Sequence, residues 1–254
     1  MWGGRDTMAN VVRQMVAEAV GTFFLVFPGA GAPMLNGIAA LGHPVSLLDV
    51  GLANGLGLGI GISATMAVSG GALNPAVSIG LWSLGKLKTA QAALYIVAEL
   101  VGAIIASLLL HLLISHVSVA LGAPAPGKGI SGLDAAGIEA VLTFLLMTAV
   151  LTTAVDREAP KIAGFGVGLV VVIDVLVGGP LTGAAMNPAR AFGPELVSGM
   201  WASAWAYWVG PIAGALIAAL IYRFFLQSPA PTAQAVPVTA AAVRRQQGKR
   251  SGRR

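Results

Sequence analysis

The 254-residue sequence is too apolar for a soluble globular protein. Apolar residues make up 56% of it, charged residues make up 10%, and the mean hydropathy is +0.83. Soluble domains are far less apolar and carry about 25% charged residues. The chain contains no cysteine, which excludes a disulfide framework and thiol chemistry. A net charge of +5 comes mostly from the end of the chain. The composition therefore indicates an integral membrane protein.

Six apolar stretches have the length that a helix needs to cross a bilayer, about 20 residues. Glu18 interrupts the apolar run of the first stretch, which continues into an internal repeat, so we do not expect a cleaved signal peptide there. The predicted spans are roughly 11–33, 48–68, 90–114, 135–155, 162–179 and 202–226.

Lysine and arginine predict the orientation of these spans. The connections on one side carry nearly all the basic residues, and those on the other side carry only Lys128. The basic positions are Arg5, Arg13, Lys86, Lys88, Arg157, Lys161, Arg223 and six residues of the C-terminal tail. The positive-inside rule then places both termini in the cytoplasm. We interpret residues 1–10 and 227–254 as cytoplasmic tails, the second disordered and held near anionic lipid rather than nucleic acid.

The tripeptide Asn-Pro-Ala occurs twice, at Asn74-Pro75-Ala76 and at Asn187-Pro188-Ala189. Each copy follows a loop of small residues. Asparagine is a favoured N-cap residue, and proline is favoured at the first helical position. Each copy therefore predicts a short helix that begins inside the apolar part of the molecule.

The repeat extends beyond the tripeptides. Residues 18–25 (EAVGTFFL) resemble residues 139–146 (EAVLTFLL), so each half has three spans and a half-helix after its second span. Because three is odd, the halves are inverted relative to each other, which places a functional site near the midplane. We predict an all-α fold of six spans and two re-entrant half-helices. It forms one domain over 11–226, with halves of about 11–115 and 134–226.

Two half-helices that enter from opposite sides should meet N-terminus to N-terminus. Each helix end carries roughly half a positive elementary charge. The amides of Asn74 and Asn187 would then face the gap as donors to the oxygen of a water molecule. Such a water turns its protons outward and interrupts a proton-conducting chain, while the helix ends repel cations.

Four intramembrane acids need an explanation, because charged groups are costly there. Glu18 and Glu139 occur once per half, so we interpret them as structural acceptors for loop N–H groups rather than as a proton relay. Glu99 and Asp174 fit less simply. Either could cap re-entrant backbone, pair with a pore-lining donor or be protonated.

These motifs together resemble the aquaporin, or major intrinsic protein, family. The resemblance runs from about Val11 to Leu226 and is carried by both tripeptides and by the runs 178–183 (GGPLTG) and 187–194 (NPARAFGP). It implies a homotetramer with one pore per subunit. It also implies a narrow ring at the extracellular mouth formed by Asn54, Val175, Ala184 and Arg190.

This ring differs from two patterns in the family. The water-selective pattern has Phe and His where this chain has Asn54 and Val175. The glycerol-facilitator pattern has Trp in the ring and Asp directly after the arginine, where this chain has Ala191. Smaller residues should widen the constriction, and we expect plant tonoplast-type channels to be similar. The alternative for Asn54 is a purely structural contact between helices.

The resulting hypothesis is a passive channel in the cell membrane. It conducts water and also small neutral solutes such as glycerol, urea, ammonia and hydrogen peroxide. A secondary transporter with the same inverted repeat is the alternative. An enzyme is not expected, because the spans bring no cysteine and no clustered histidine to a site. We expect no cofactor and no metal.

Overall fold

The computed structural model describes residues 8–37, 42–115, 120–160 and 162–229. Most of the two predicted tails therefore lies outside the described residues. The described chain forms eight α-helices, two of which continue as π-helical turns. In chain order they are α1 (Met8–Met34), α2 (Leu47–Thr65), α3 (Pro75–Ser83), α4 (Thr89–Ile114), α5 (Gly132–Val150), α6 (Ala163–Thr182), α7 (Pro188–Ser198) and α8 (Ala206–Ile221).

Six of these helices are long and apolar enough to cross a membrane, which confirms the predicted number of spans. Several span ends differ from the prediction by about three or four residues: the first span begins at Met8 and not at 11, the second ends at Thr65 and not at 68, and the fourth begins at Gly132 and not at 135. The fifth span runs to Thr182 and not to 179, since Pro180 lies within the last turn of α6. The sixth begins at Ala206 and not at 202, because residues before it form a separate turn.

The remaining two helices, α3 and α7, are the predicted half-helices. Both begin directly after an asparagine, with proline at the first helical position. The Asn74 side-chain oxygen accepts from Ala76 N at 2.9 Å, and the Asn187 oxygen accepts from Ala189 N at 2.9 Å. Each asparagine thereby satisfies a backbone N–H that the first turn leaves unpaired.

The two halves meet along α2 and α6, where glycine brings the backbones together. A Cβ atom on Gly55 would lie 2.4 Å from the Gly168 carbonyl oxygen, and one on Gly168 would lie 2.5 Å from the Gly55 oxygen. These distances are too short for any side chain. Small residues at helix crossings are typical of membrane proteins, where close van der Waals packing drives association.

The same kind of packing is repeated within each half. Gly102 of α4 lies against the Ala19 carbonyl of α1, and Gly214 of α8 lies against the Ala140 carbonyl of α5. A Cβ atom would lie 2.2 Å and 2.1 Å from these oxygens. Since Ala19 and Ala140 each follow the acid of their half, both acids are held at equivalent depths beside the half-helix loops.

Candidate functional site: the meeting point of the two half-helices

Each loop before a half-helix is held by a buried glutamate. Glu18 accepts from Ala72 N at 3.2 Å and from Leu73 N at 2.6 Å. Glu139 accepts from Ala185 N at 2.9 Å and from Met186 N at 2.6 Å. Without these acceptors, the loop N–H groups would be buried and unpaired, which costs about 1–3 kcal/mol each. The structure thus contains the bonds that the scaffold interpretation of the two acids requires.

A buried tyrosine donates a hydrogen bond to the first residue of each loop. The Tyr95 hydroxyl donates to Ser69 O and the Tyr207 hydroxyl donates to Thr182 O, both at 2.8 Å. Both tyrosines are fully buried. These contacts were not predicted from the sequence, although Tyr95 and Tyr207 occupy the same place relative to Gly102 and Gly214 in their spans.

The residue before each asparagine has a backbone conformation that side chains rarely adopt. Leu73 has φ 52° and Met186 has φ 53°. Left-handed conformations are uncommon for bulky residues and persist where the surroundings hold them. Here the glutamates hold both N–H groups, and the twist leaves the carbonyl oxygens free for the opposite loop.

The two asparagines use those carbonyls to link the loops to each other. The Asn74 amide nitrogen donates to Met186 O at 3.0 Å, and the Asn187 amide nitrogen donates to Leu73 O at 2.8 Å. An amide nitrogen carries two hydrogens. Each asparagine therefore keeps one donor for the space in front of it, while its other donor and its oxygen are fixed by the fold.

A small cavity lies at this meeting point. Its volume is about 10 Å³, which is close to what one water molecule needs. Both asparagine amides contribute to it. The remaining lining residues are mostly apolar, and they are Leu25, Asn54, Leu58, Leu146, Val171, Ala185 and Met186.

Arg190 lies three residues after Asn187, in the first turn of α7, and only 3% of its surface is exposed. Its Nη1 donates to Gly122 O at 2.9 Å, and its Nη2 donates to Gly29 O at 3.4 Å. The guanidinium is therefore oriented by two backbone carbonyls from different parts of the chain. Neither acceptor could be predicted from residue identity, because the acceptor is the backbone.

Asn54 lies beside Arg190. Its amide nitrogen donates to Gly29 O at 3.2 Å, the same oxygen that receives Arg190, and to Val50 O at 2.8 Å. Asn54 also contacts the midplane cavity. The structure therefore brings two members of the predicted ring together at one backbone oxygen. The bond to Gly29 also links α2 to α1, as the structural alternative for Asn54 supposes.

The other two predicted ring residues, Val175 and Ala184, are buried at 2% and 1% exposure and belong to the same apolar cluster. A Cβ atom on Gly178 would lie 3.3 Å from the Ala184 Cβ, and one on Gly179 would lie 3.6 Å from the Val175 Cγ1. Both ring residues are thus close to the last turn of α6. Their side chains are small and present no hydrogen-bonding group.

Three buried acids lie outside this arrangement. Glu99 accepts from the Ser78 hydroxyl of α3 at 2.7 Å. Asp174 is 1% exposed and Glu195 is fully buried, and neither carboxylate has a hydrogen-bond donor in the part of the chain that the structure describes. The sequence analysis did not single out Glu195.

A wider cavity of about 370 Å³ lies on the other side of the meeting point. Gln14, Lys86, Lys88 and Val155 all contribute to it, so the start of α1, the loop after α3 and the end of α5 share one side of the molecule. This is the side that the basic residues predict to be cytoplasmic. The site thus has a roomy mouth on one side and Arg190 on the other.

Comparison with known proteins agrees with this geometry. The sequence model of the family described as "Major intrinsic protein" matches residues 6–222. The chain belongs to the major intrinsic protein family. The aquaporins of this family are channels and not enzymes. This confirms the prediction that the protein is not an enzyme.

Two maize proteins illustrate the similarity within the family. Aquaporin TIP4-4 of Zea mays is 46% identical over 84% of this chain and 86% of its own length. Aquaporin TIP1-2 of Zea mays is 39% identical over 94% of this chain and 95% of its own length. The similarity therefore covers all eight helices of this major intrinsic protein.

A solved structure shows the same fold. The aquaglyceroporin from Plasmodium falciparum superposes with a TM-score of 0.77 at 26% identity, over 85% of this chain and 97% of that chain. This match confirms the predicted aquaporin-like arrangement of six spans and two half-helices.

Proposed function

We propose that this major intrinsic protein is a passive channel for water and small neutral solutes, and that it excludes protons and ions. The observation that carries the proposal is the pair of asparagine amides at the meeting point. Two helix N-termini and two amide donors surround a space for one water molecule. No described acid contributes to this cavity, so there is nothing there to carry a proton onward.

The linked loops explain how protons would be excluded. One hydrogen of each amide is engaged by the opposite loop, at Met186 O and Leu73 O. A water molecule in the cavity would accept the remaining hydrogen of each amide through its oxygen, from Asn74 on one side and Asn187 on the other. A water held through its oxygen directs both protons away from the centre. The hydrogen-bond direction therefore reverses there, and a proton cannot be relayed across it.

Cations would meet a second barrier. The N-termini of α3 and α7 bring two partial positive charges to the centre of an apolar surrounding, where screening is weak. Arg190 adds a full positive charge beside Asn54. Arginines and helix ends of this kind exclude protons and cations in aquaporin-type pores.

The ring supports a broad range of neutral solutes. Asn54 and Val175 are smaller than the Phe and His of the water-selective pattern, Ala184 is also small, and Arg190 supplies donors for a solute hydroxyl or carbonyl oxygen. The proteins similar to this chain include both TIP aquaporins and an aquaglyceroporin. We propose glycerol, urea, ammonia and hydrogen peroxide as permeants besides water.

Stopped-flow light scattering on proteoliposomes tests this proposal. We expect a sucrose gradient to shrink vesicles much faster than protein-free vesicles, and a glycerol gradient to cause fast shrinkage followed by fast reswelling. Fast water flux with glycerol excluded would contradict the proposed ring. Water flux at the lipid background would contradict the channel.

The same vesicles separate a channel from a secondary transporter. Channel flux should rise linearly with the solute gradient and should not respond to an imposed proton or sodium gradient. Saturable solute flux that follows an ion gradient would favour a transporter.

We further propose that residues 11–226 form one channel domain, that both termini are cytoplasmic and that the protein is a homotetramer in the cell membrane. The assembly is supported by the family resemblance and by apolar side chains on the outer surface of α1 and α2, such as Phe24 and Leu56, which are 42% and 50% exposed. Light scattering of the detergent-solubilised protein would give its mass. Protease access to tagged ends in sealed vesicles would give the orientation.

A further inference from the structure

Glu99 and Glu18 form a pair of intramembrane acids. Glu99 of α4 and Glu18 of α1 are both fully buried. Their carboxyl groups lie within hydrogen-bonding reach of each other. Two ionised carboxylates at this distance would repel strongly in an apolar surrounding, whereas a pair that shares one proton forms a short, charge-assisted hydrogen bond.

The neighbouring donors indicate which carboxyl holds that proton. Both oxygens of Glu18 already accept backbone N–H groups, from Ala72 on one oxygen and Leu73 on the other. A hydrogen on either oxygen would oppose one of these donors. Glu18 is therefore the acceptor of the pair.

Glu99 has the complementary arrangement. Its Oε1 accepts from the Ser78 hydroxyl at 2.7 Å, and its Oε2 has no donor among the described residues. The nearby Tyr95 cannot be that donor, since its hydroxyl hydrogen is directed to Ser69 O. An Oε2 that bears a hydrogen needs an acceptor instead, and the Glu18 carboxylate supplies it.

We propose that Glu99 is a positioning residue that keeps a proton on Oε2 and donates it to Glu18. The pair then carries one negative charge, as Glu139 does alone in the other half. Glu99 also faces the backbone N–H of Asn74 and binds Ser78 in the second turn of α3. It therefore links the acid that holds the first loop to the half-helix that the loop precedes.

A neutral Glu99 also has a consequence for the pore. The positive end of α3 contributes to the cation barrier proposed above. A second negative charge behind Asn74 would offset that end of the helix. The proton on Glu99 preserves the barrier while leaving Glu18 ionised to hold the loop.

Infrared spectroscopy of the full-length protein tests the protonation directly. We expect a carboxylic-acid C=O stretching band in the wild-type protein at pH 7 that is missing from Glu99→Gln, so that the difference spectrum shows one lost band. The control is Glu158→Gln, which changes an exposed glutamate and should lose no such band. A Glu99→Gln difference spectrum without the band would overturn the proposal, and this result does not depend on the channel function.

Two variants at the same position then test the positioning role. In Glu99→Gln the amide can still donate to Glu18 and accept from Ser78, so we expect the melting temperature and the water permeability per protein to match the wild type. Glu99→Met has a similar length but can do neither, and we expect it to lower the melting temperature by several degrees and to reduce permeability. A Glu99→Gln protein that does not fold, or a Glu99→Met protein that behaves like Glu99→Gln, would contradict the role.

Discussion

The two half-helix loops have the same frame. Residues 69–77 correspond to residues 182–190, an offset of 113 positions. In each loop, the first residue receives a tyrosine hydroxyl on its carbonyl, a glutamate binds two successive N–H groups, and an asparagine caps the half-helix. The residue before each asparagine has φ near 50° in both halves. The frame is therefore built twice from the same chemistry.

The four residues of the predicted ring differ from the residues at the corresponding positions of the other half. The same offset relates each predicted ring residue to a residue of the other half, and all four of those partners line the wide cavity of about 370 Å³. The ring consists of Asn54, Val175, Ala184 and Arg190, and the corresponding residues are Val167, Ile62, Gly71 and Val77. The predicted ring thus has two polar side chains, one of them charged, and the corresponding positions of the other half have none.

Different residues therefore determine the structure of the two loops and the proposed selectivity among solutes. The glutamates, tyrosines and asparagines behind the loops set the geometry and are the same in both halves. The side chains of the predicted ring can differ from their counterparts, since the hydrogen bonds that hold the loops do not come from them. The proposed discrimination among solutes is consequently assigned to one mouth only.

The largest expected effect tests the shared frame. Glu139→Ala leaves Ala185 N, Met186 N and the Thr182 hydroxyl without their acceptor. The Thr182 hydroxyl can still donate to Gly178 O at 3.4 Å, so two backbone N–H groups are left unpaired. At about 1–3 kcal/mol for each of them, we expect the stability to fall by roughly 2–6 kcal/mol and the water flux to be lost. Thermal unfolding in detergent and stopped-flow assays measure both.

Glu18→Ala should be destabilised to a similar degree if the halves are equivalent. The control is Glu158→Ala, whose side chain is exposed and should be replaceable without effect. A Glu139→Ala protein as stable as this control would refute the scaffold interpretation.

The second prediction makes the two mouths alike. Arg190→Val places in the second half the residue that the first half has at Val77. Removing the positive charge from a site with weak screening should raise urea and glycerol flux, and cation leak, by about tenfold or more. Water flux should change much less. Solute reswelling rates and vesicle membrane-potential assays would measure these changes, and unchanged cation leak would mean that the helix ends suffice as the barrier.

A smaller effect is expected at Asn54, whose counterpart is Val167. Asn54→Val removes the bond to Gly29 O, which Arg190 also uses, and makes the mouth more apolar. We expect the ratio of glycerol to water permeability to rise by about threefold, the equivalent of roughly 0.6 kcal/mol for one interhelical polar contact. Leu56→Val on the outer surface of the same helix is the control. A lower melting temperature with an unchanged ratio would favour the structural role.

The sequence predicted the parts of this arrangement that depend on residue type. Glutamates within apolar spans and asparagines before prolines each have few structural uses, so their positions indicated the scaffold and the half-helix starts. The links between the loops could not be predicted. They depend on left-handed backbone at Leu73 and Met186, and nothing about leucine or methionine suggests that conformation.

The carbonyls that orient Arg190 were missed for a related reason. Any residue can offer a backbone oxygen, so Gly29 and Gly122 gave no signal as acceptors.

The role of Glu99 depends on which helices become neighbours. Glu99, Ser78 and Glu18 lie on three different helices, so only the folded structure could select among the alternatives left open for Glu99.

A modest effect is expected at the surface, where the connection after α5 meets the end of the last span. Asp156 accepts from the Tyr222 hydroxyl at 2.7 Å and from Ser228 N at 2.9 Å. Partial burial raises the pKa of Asp156, but hydrogen bonds from Ser228, Tyr222 and Glu158 outweigh it and hold that pKa below its ordinary value. Its stabilisation is therefore complete above the pKa of an unfolded aspartate, about 3.9, and is lost as the pH falls below that range.

Asp156→Asn should accordingly lower the melting temperature by about 2–4 °C at pH 7, with the difference from the wild type narrowing in acid. Melting curves at several pH values would show this trend. A melting-temperature difference between Asp156→Asn and the wild type that stays constant down to acidic pH would indicate that the charge of Asp156 does not stabilise the contact.

The smallest expected effect is none at all. The chain contains no cysteine, so mercurials have no thiol to attack and should leave water permeability unchanged.

Introducing one thiol allows mercurials to be used as a test of the predicted ring. Ala184→Cys conserves a small side chain at a buried position with φ 46°, and a mercury adduct there would occupy the predicted constriction. We expect rapid inhibition that a reducing thiol reverses in this variant, and no inhibition in Ile62→Cys, the counterpart of Val175 at the wide mouth, because a cavity of about 370 Å³ leaves room beside the adduct. Equal inhibition of both variants would show that the two mouths are similarly narrow, and the proposed asymmetry between the halves would then be wrong.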